Sequence, residues 1–218
     1  MADRAALAAG LLYGSSVAVL LVARSWQQLR ATGSSGFHGL TGMRTGGADR
    51  VAGLGFGVAV SAGLVSPALT AVGRLPRKTR STSMVWAGAV AAAGGIVLAS
   101  LAQHTMGESW RIGVDPDEQT DLVTDGVFGA VRNPIFTAMV AVQAGTTLMA
   151  PTWLSIAGVT ALVTAVEVQT RMVEEPYLAR AHGENYAGYT YLTGRFLPLT
   201  GRTGIRGLME FGQKEPRA

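Results

Sequence analysis

The chain has 218 residues, of which 48% are hydrophobic and only 15% charged, with a formal net charge of +4 and a mean hydropathy of +0.28. A soluble domain carries roughly 25% charged residues, so the composition points to a membrane protein. The absence of cysteine excludes disulfides, a thiol nucleophile and thiolate metal sites.

Crossing a bilayer as a helix takes roughly 20 mostly apolar residues. The first such run is residues 5–23. Asp3 and Arg4 ahead of it form no positive leader region, and the run is longer than a signal peptide needs, so it reads as a retained helix. Residues 24–50 are rich in glycine and serine and read as a mobile loop, with His38 an ordinary loop histidine. The second and third runs are 51–72 and 84–102. Gly53, Gly55 and Gly57 in one, and Gly88, Ala92, Gly94 and Gly95 in the other, predict close helix packing in lipid. Gly53-Leu-Gly-Phe-Gly57 lacks the flanking strand and helix of a nucleotide-binding loop.

The acidic stretch 115–126 fails as a calcium loop, because its sixth and twelfth positions hold Thr120 and Gly126. It reads as a solvated, turn-rich loop. The last two apolar runs, 135–150 and 153–173, are separated only by Pro151 and Thr152, which predicts a tight antiparallel helical hairpin. The expected fold is all-α and integral to the membrane, with five transmembrane helices. Residues 1–104 hold helices one to three, and 105–218 hold the acidic loop, the hairpin and the tail. His38, His104 and His182 lie too far apart in sequence to suggest a metal site, and none is expected.

Basic residues orient such a protein, since they concentrate on the cytoplasmic side. With the N-terminus outside, twelve Lys and Arg fall inside and five outside, four of the five being the cluster Arg74, Arg77, Lys78 and Arg80. The acidic loop and the tail then share the cytoplasmic face. Nucleic-acid binding is not expected from this basic excess.

The entry to the fourth run carries the first chemistry. Asn is a favoured N-cap and Pro suits the first helical position, so Asn133-Pro134 starts a helix by local physics, with Arg132 free to extend to lipid headgroups. Glu167 sits inside the fifth run, where a charge costs upward of roughly 2.5 kcal/mol unless paired or hydrated. Arg171, one turn on, is its natural partner. Glu174-Glu175 follow at the end of that run, and positions 167, 171, 174, 175 and 178 share roughly one helical face. The hairpin brings Arg132 to the same end as Glu174 and Glu175. Two explanations stand at this point: solvated helix ends, or a site for a zwitterion in which Arg132, Glu174 and Glu175 do the chemistry.

These residues fall into an ordered set: Leu122-Val-Thr-Asp-Gly-Val-Phe128, Arg132-Asn-Pro-Ile-Phe136, Glu174-Glu175, Gly183-x-x-Tyr186-x-x-Tyr189, and Leu197-Pro198. In order and spacing the set resembles the integral-membrane methyltransferases that include isoprenylcysteine carboxyl methyltransferase and the phospholipid methyltransferases. The resemblance covers about residues 119–198, over a third of the chain. It implies S-adenosylmethionine as methyl donor and a lipophilic isoprenoid or lipid acceptor. It places Leu122, Val123, Thr124, Gly126, Val127 and Phe128 around the adenosine. Arg132, Asn133 and Pro134 stand beside the cofactor, with Asn133 donating to its carboxylate and Glu167 and Arg171 extending the cofactor set. Glu174 and Glu175 face the amino group or the acceptor. Departures from the family pattern are Val127-Phe128 for Pro-Tyr, Asn133 for histidine, and Thr190-Tyr191-Leu192 where prenylcysteine enzymes tend to carry basic residues. The rival expectations are an NADPH-dependent intramembrane reductase of sterol-reductase type and a non-catalytic membrane scaffold. Arginine-rich, lysine-poor usage suggests a GC-rich bacterial genome and hence the inner membrane.

Overall fold

A computed structural model describes residues 3–33, 47–76, 79–107 and 121–200. The sequence features at His38, at Asp115 to Thr120, and beyond Thr200 lie outside the described residues. In chain order come α1 (Arg4–Val17), a π-helical segment (Ala18–Ala23), α2 (Arg24–Thr32), α3 (Gly47–Ala71), α4 (Thr82–Met106), the short α5 (Val127–Ala130), α6 (Pro134–Met149), α7 (Trp153–Val168), a second π-helical segment (Gln169–Glu174) and α8 (Glu175–Leu192). No strand occurs among the described residues beyond a single parallel bridge between Val131 and Gly194.

Four helices are long and apolar enough to cross a membrane: Arg4–Arg30, Gly47–Ala71, Thr82–Met106 and the 40-residue Trp153–Leu192. At 1.5 Å per residue, the 25-residue helices span about 37 Å, more than the ~30 Å hydrocarbon core. The helix running to Leu192 is longer than that core but not straight, because Gly183 leaves helical geometry (φ 49°, ψ −121°) and kinks α8. Its polar half, from Glu174 on, therefore extends past the apolar span as an arm. Residues 24–32, expected as part of a mobile loop, instead continue the first helix. They are amphipathic and polar, so hydropathy hides them.

The fourth apolar run is a 16-residue helix, about 24 Å long. It occupies the centre of the bundle. The hairpin forms as expected, and Thr152 and Ser155 close its turn with a reciprocal capping box. Yet α6 packs most extensively on α4, and α7 on α3, rather than on each other. Glycine decides these pairings. Gly88 on α4 and Gly145 on α6 meet backbone to backbone, Gly95 lies against Ala138 and Val142, and Gly55 on α3 lies against Ala161 and Ala165 of α7. Nothing lies within 4 Å of where a Cβ would stand on Gly57 or Gly94, so neither makes such a close approach.

One polar stitch crosses the apolar interior. Gln143 is 1% exposed; its amide donates to the Ala59 carbonyl at 2.9 Å and accepts from the Tyr13 hydroxyl at 3.3 Å, tying α6 to α3 and α1. Interhelical hydrogen bonds in membranes average about 0.6 kcal/mol, but a stranded buried hydroxyl adds a further penalty of roughly 1–3 kcal/mol. Gln143→Leu is therefore expected to lower unfolding stability in detergent by about 1–2 kcal/mol. A Tyr13→Phe/Gln143→Leu double variant should recover part of that loss, and no recovery would show that the hydroxyl is not stranded.

Candidate active site

The site forms where α6 begins, where the apolar part of the last helix ends, and where the chain returns after α8. Val131 is extended and bridges Gly194. The Arg132 backbone N–H donates to the Gly194 carbonyl at 2.8 Å, and that of Asn133 to the Arg195 carbonyl at 3.1 Å. A strap of residues 193–196 thus lies along 131–133. The Asn133 side chain also donates to the Arg195 carbonyl, at 3.1 Å, and makes no cap bond to its own helix. The expected N-cap role of this side chain is therefore not realised, because the returning strap takes the amide instead. Pro134 does occupy the first turn of α6 as expected.

Arg132 is about 10% exposed. Its Nη1 donates to the carbonyls of Thr190 and Thr193 at 3.1 and 2.6 Å, orphan acceptors at the end of α8, as a cation at a helix C-terminus should. Its Nη2 donates to Glu175 Oε1 at 2.9 Å. Arg195 grips the same carboxylate with Nε at 2.7 Å and Nη2 at 2.8 Å. Glu175 is thus held by two guanidiniums. Burial opposes its ionisation, but the hydrogen bonds and charges of Arg195 and Arg132 outweigh that and hold the carboxyl below its ordinary range. Glu174, next to it, accepts a longer bond from Gln169 Nε2 at 3.4 Å.

The arm closes over these groups. Tyr189 donates its hydroxyl to the Phe128 carbonyl at 2.7 Å, fastening α8 to α5, and its ring meets Tyr186 edge to face at 6.3 Å between centroids. Burial pushes the Tyr186 phenol up to about 12, with Glu175 adding to the rise, so it stays neutral at physiological pH. Burial likewise raises Tyr189.

A cavity of about 170 Å³ lies between these elements. Of the residues singled out from sequence, Leu122, Val123, Phe128, Arg132, Asn133, Pro134, Glu174 and Glu175 line it. Thr124, Gly126 and Val127 do not; Thr124 and Gly126 face outward, and Gly126 turns the chain with φ +55° beside Thr105. Glu167 and Arg171 also stand apart, paired with each other one turn apart and 39% and 53% exposed. An intrahelical ion pair accounts for them.

Residues 83–185 match the phospholipid methyltransferase family. This is a family of integral-membrane methyltransferases, and the match, laid over these apolar helices, supports a membrane methyltransferase. No curated protein and no solved structure matches the chain. The phospholipid methyltransferase region runs from α4 into α8 and contains Arg132, Asn133, Glu174 and Glu175. Tyr186, Tyr189 and Arg195 lie just past its end.

Sequence reasoning missed Met106, Asp121 and Tyr177 in the lining, and gave no role to Ile135, Phe136 and Leu178, which stood in a motif or on the acidic helical face. The two tyrosines of the Gly183-x-x-Tyr186-x-x-Tyr189 motif were visible as a pattern but given no role. Arg195 carried no signal. Met106 ends α4, whose last turn is pinned from α2: Arg24 Nη2 donates to the Gln103 and Gly107 carbonyls, and Gln103 Nε2 donates to Leu20 in the π-helical segment at 2.7 Å.

Proposed function

We propose that the chain is an S-adenosylmethionine-dependent methyltransferase that acts on a lipophilic acceptor, with the cavity between Phe128, Arg132, Glu174 and Tyr186 as its donor site. The observation that carries this reading is the convergence, on one cavity inside the matched region, of a donor-rich wall (Arg132, Asn133) and an acidic wall (Glu174). That donor set fits the amino-acid end of the cofactor, with its carboxylate and its ammonium. Phe128, Leu122, Val123 and the tyrosines supply apolar and aromatic surface for the adenosine. The cavity is smaller than the ~300 Å³ lower bound of ordinary ligand pockets, so binding requires side chains of its lining to move aside.

When bound, the cofactor supplies a sulfonium methyl group that is open to in-line displacement. The residues of the chain position the reactants, and positioning of this kind is worth as much as roughly 7–11 kcal/mol of the barrier. Glu175, saturated by Arg132 and Arg195, holds the strap and arm in place. Glu174 is the acid assigned to the ligand: it faces the donor's ammonium, or takes a proton from an amine or hydroxyl acceptor. Ile135 and Phe136 give the cavity an apolar edge toward the bundle, from which a lipophilic acceptor enters.

The excess of Lys and Arg on the side of the donor site supports the N-terminus outside and that site in the cytoplasm.

Purified protein titrated with S-adenosylmethionine is expected to bind it, and Glu174→Gln to bind about tenfold more weakly. Binding of NADPH instead, or of neither, would overturn the assignment. Labelled methyl donor supplied with a lipid extract then identifies the acceptor by the product that gains label.

A further inference from the structure

The end of the bundle remote from the donor cavity carries a charge that the proposed chemistry does not use. The starts of α1 and α4 and the ends of α3 and α6 meet there, packed through Ala6, Ala71, Val85, Met149 and Ala150. In sequence this end holds five basic residues, Arg4, Arg74, Arg77, Lys78 and Arg80, against one acid, Asp3. That is the whole formal net charge of +4, since the remaining basic and acidic residues cancel, thirteen of each. Basic residues usually concentrate on the cytoplasmic side, so a surplus on the opposite side calls for a counter-charge of its own.

Asp3 does not supply it. Its buried carboxylate caps α1 by accepting from the Ala5 and Ala6 N–H groups, each at 3.1 Å, and pairs with Arg80. Its backbone N–H reaches the Ala71 carbonyl at 3.5 Å, which sets the start of α1 against the end of α3. Arg4 follows directly, and Arg74 closes the turn after α3, its N–H donating to the Leu69 carbonyl at 2.8 Å. Both side chains are exposed and have no ion pair among the described residues. Arg77 and Lys78 lie outside the described residues.

The neighbours of these arginines set their depth. Trp86, in the first turns of α4, and Trp153, which opens α7, are 68% and 62% exposed at the same end, and Leu7 and Val72 are exposed beside the arginines. Exposed indoles at the ends of spanning helices mark the membrane–water interface. Arg4 and Arg74 therefore lie at headgroup level, where the anion at hand is a lipid phosphate, which guanidinium matches in geometry as well as charge.

We propose that this end of the bundle is a docking surface for anionic phospholipid, with Arg4 and Arg74 holding the headgroup phosphate and the Asp3–Arg80 pair fixing the elements that carry them. The surface is separated from the donor cavity by the length of α6, about 24 Å, and does not depend on what that cavity binds.

Equilibrium binding of labelled phosphatidylglycerol and labelled phosphatidylcholine to the purified full chain in detergent tests this. Wild type should hold the first at least about tenfold more tightly, and Arg4→Gln/Arg74→Gln should lose about that factor for phosphatidylglycerol alone. Unchanged phosphatidylcholine binding in that variant shows that the fold persists. The preference should fade in ~1 M salt, where the screening length falls to about 3 Å. Arg50→Gln/Arg180→Gln removes the same charge from exposed positions at the cavity end and should keep the preference. Equal binding of the two lipids by wild type would overturn the proposal, as would an equal loss in both double variants or a fall for both lipids in Arg4→Gln/Arg74→Gln. Displacement of phosphatidylglycerol by millimolar inorganic phosphate would overturn it too, by making this a site for soluble anions.

Discussion

Glu175→Ala is expected to destabilise the protein by about 3 kcal/mol and to abolish methyl-donor binding. The carboxylate accepts three hydrogen bonds from two guanidiniums whose side chains are 10% and 27% exposed. Removing one partner of a buried pair costs roughly 3–5 kcal/mol, because the other charge stays behind unpaired. Here two cations are left, and partial solvent access around Arg195 keeps the figure at the low end. The loss spreads further, since the same arginines hold the end of α8 and the strap along residues 131–133. Denaturant unfolding in detergent measures it, and a change below about 1 kcal/mol would show that the cluster is screened like a surface pair. The pH dependence has a fixed sign. The folded carboxyl titrates below its ordinary 4.5, so the contribution is fully present above that value. It is lost as pH falls through the folded value. Glu175→Ala should therefore flatten the acid limb of the stability profile. Arg132→Ala removes contacts to Thr190, Thr193 and Glu175 together, so it should unfasten the arm as well as empty the site.

How far the sequence reaches depends on which physical term sets each feature. Hydropathy sets the apolar helices: all five runs were legible, four as helices long enough to cross a membrane and 135–150 as a shorter one. It is blind to polar helix, so 24–32 was read as loop and the chain after the fifth run only as a cytoplasmic tail. The meeting of Arg132 with Glu175 was legible because a two-residue connector, Pro151-Thr152, leaves a hairpin one geometry. Arg195 was not, because reaching it requires the chain to double back after an 18-residue helix. Asn133 misled for a related reason. Its type and position suit a cap, but a tertiary carbonyl competes for the same amide. The two π-helical segments, Ala18–Ala23 and Gln169–Glu174, left no trace in residue type. The second immediately precedes Glu175. Glycine stripes announced close packing but could not say which helix meets which.

Gly145→Val tests that last point and is expected to be the most damaging substitution in the bundle. A Cβ on Gly145 would stand 2.5 Å from the Gly88 carbonyl oxygen and 2.7 Å from the Ala92 nitrogen, both backbone atoms of α4 that no rotamer change can move. Relief requires α6 and α4 to separate along the largest helix contact in the molecule. Overpacking of side chains costs roughly 1–3 kcal/mol, and a backbone clash belongs at or above the top of that range. At about 2–4 °C per kcal/mol for a chain this long, the melting point should fall by roughly 10 °C or the protein should fail to accumulate folded. Because α6 opens with Arg132, Asn133 and Pro134, any folded fraction should also bind methyl donor poorly. Gly94→Ala on α4 is the matched comparison: nothing lies within 4 Å of its Cβ position, so it should be neutral or stabilise by up to about 1 kcal/mol through helix propensity. If the two variants melted alike, α6 would not be seated on α4 through Gly88 and Gly145. The frame that holds Arg132 opposite Glu175 would then need a different explanation.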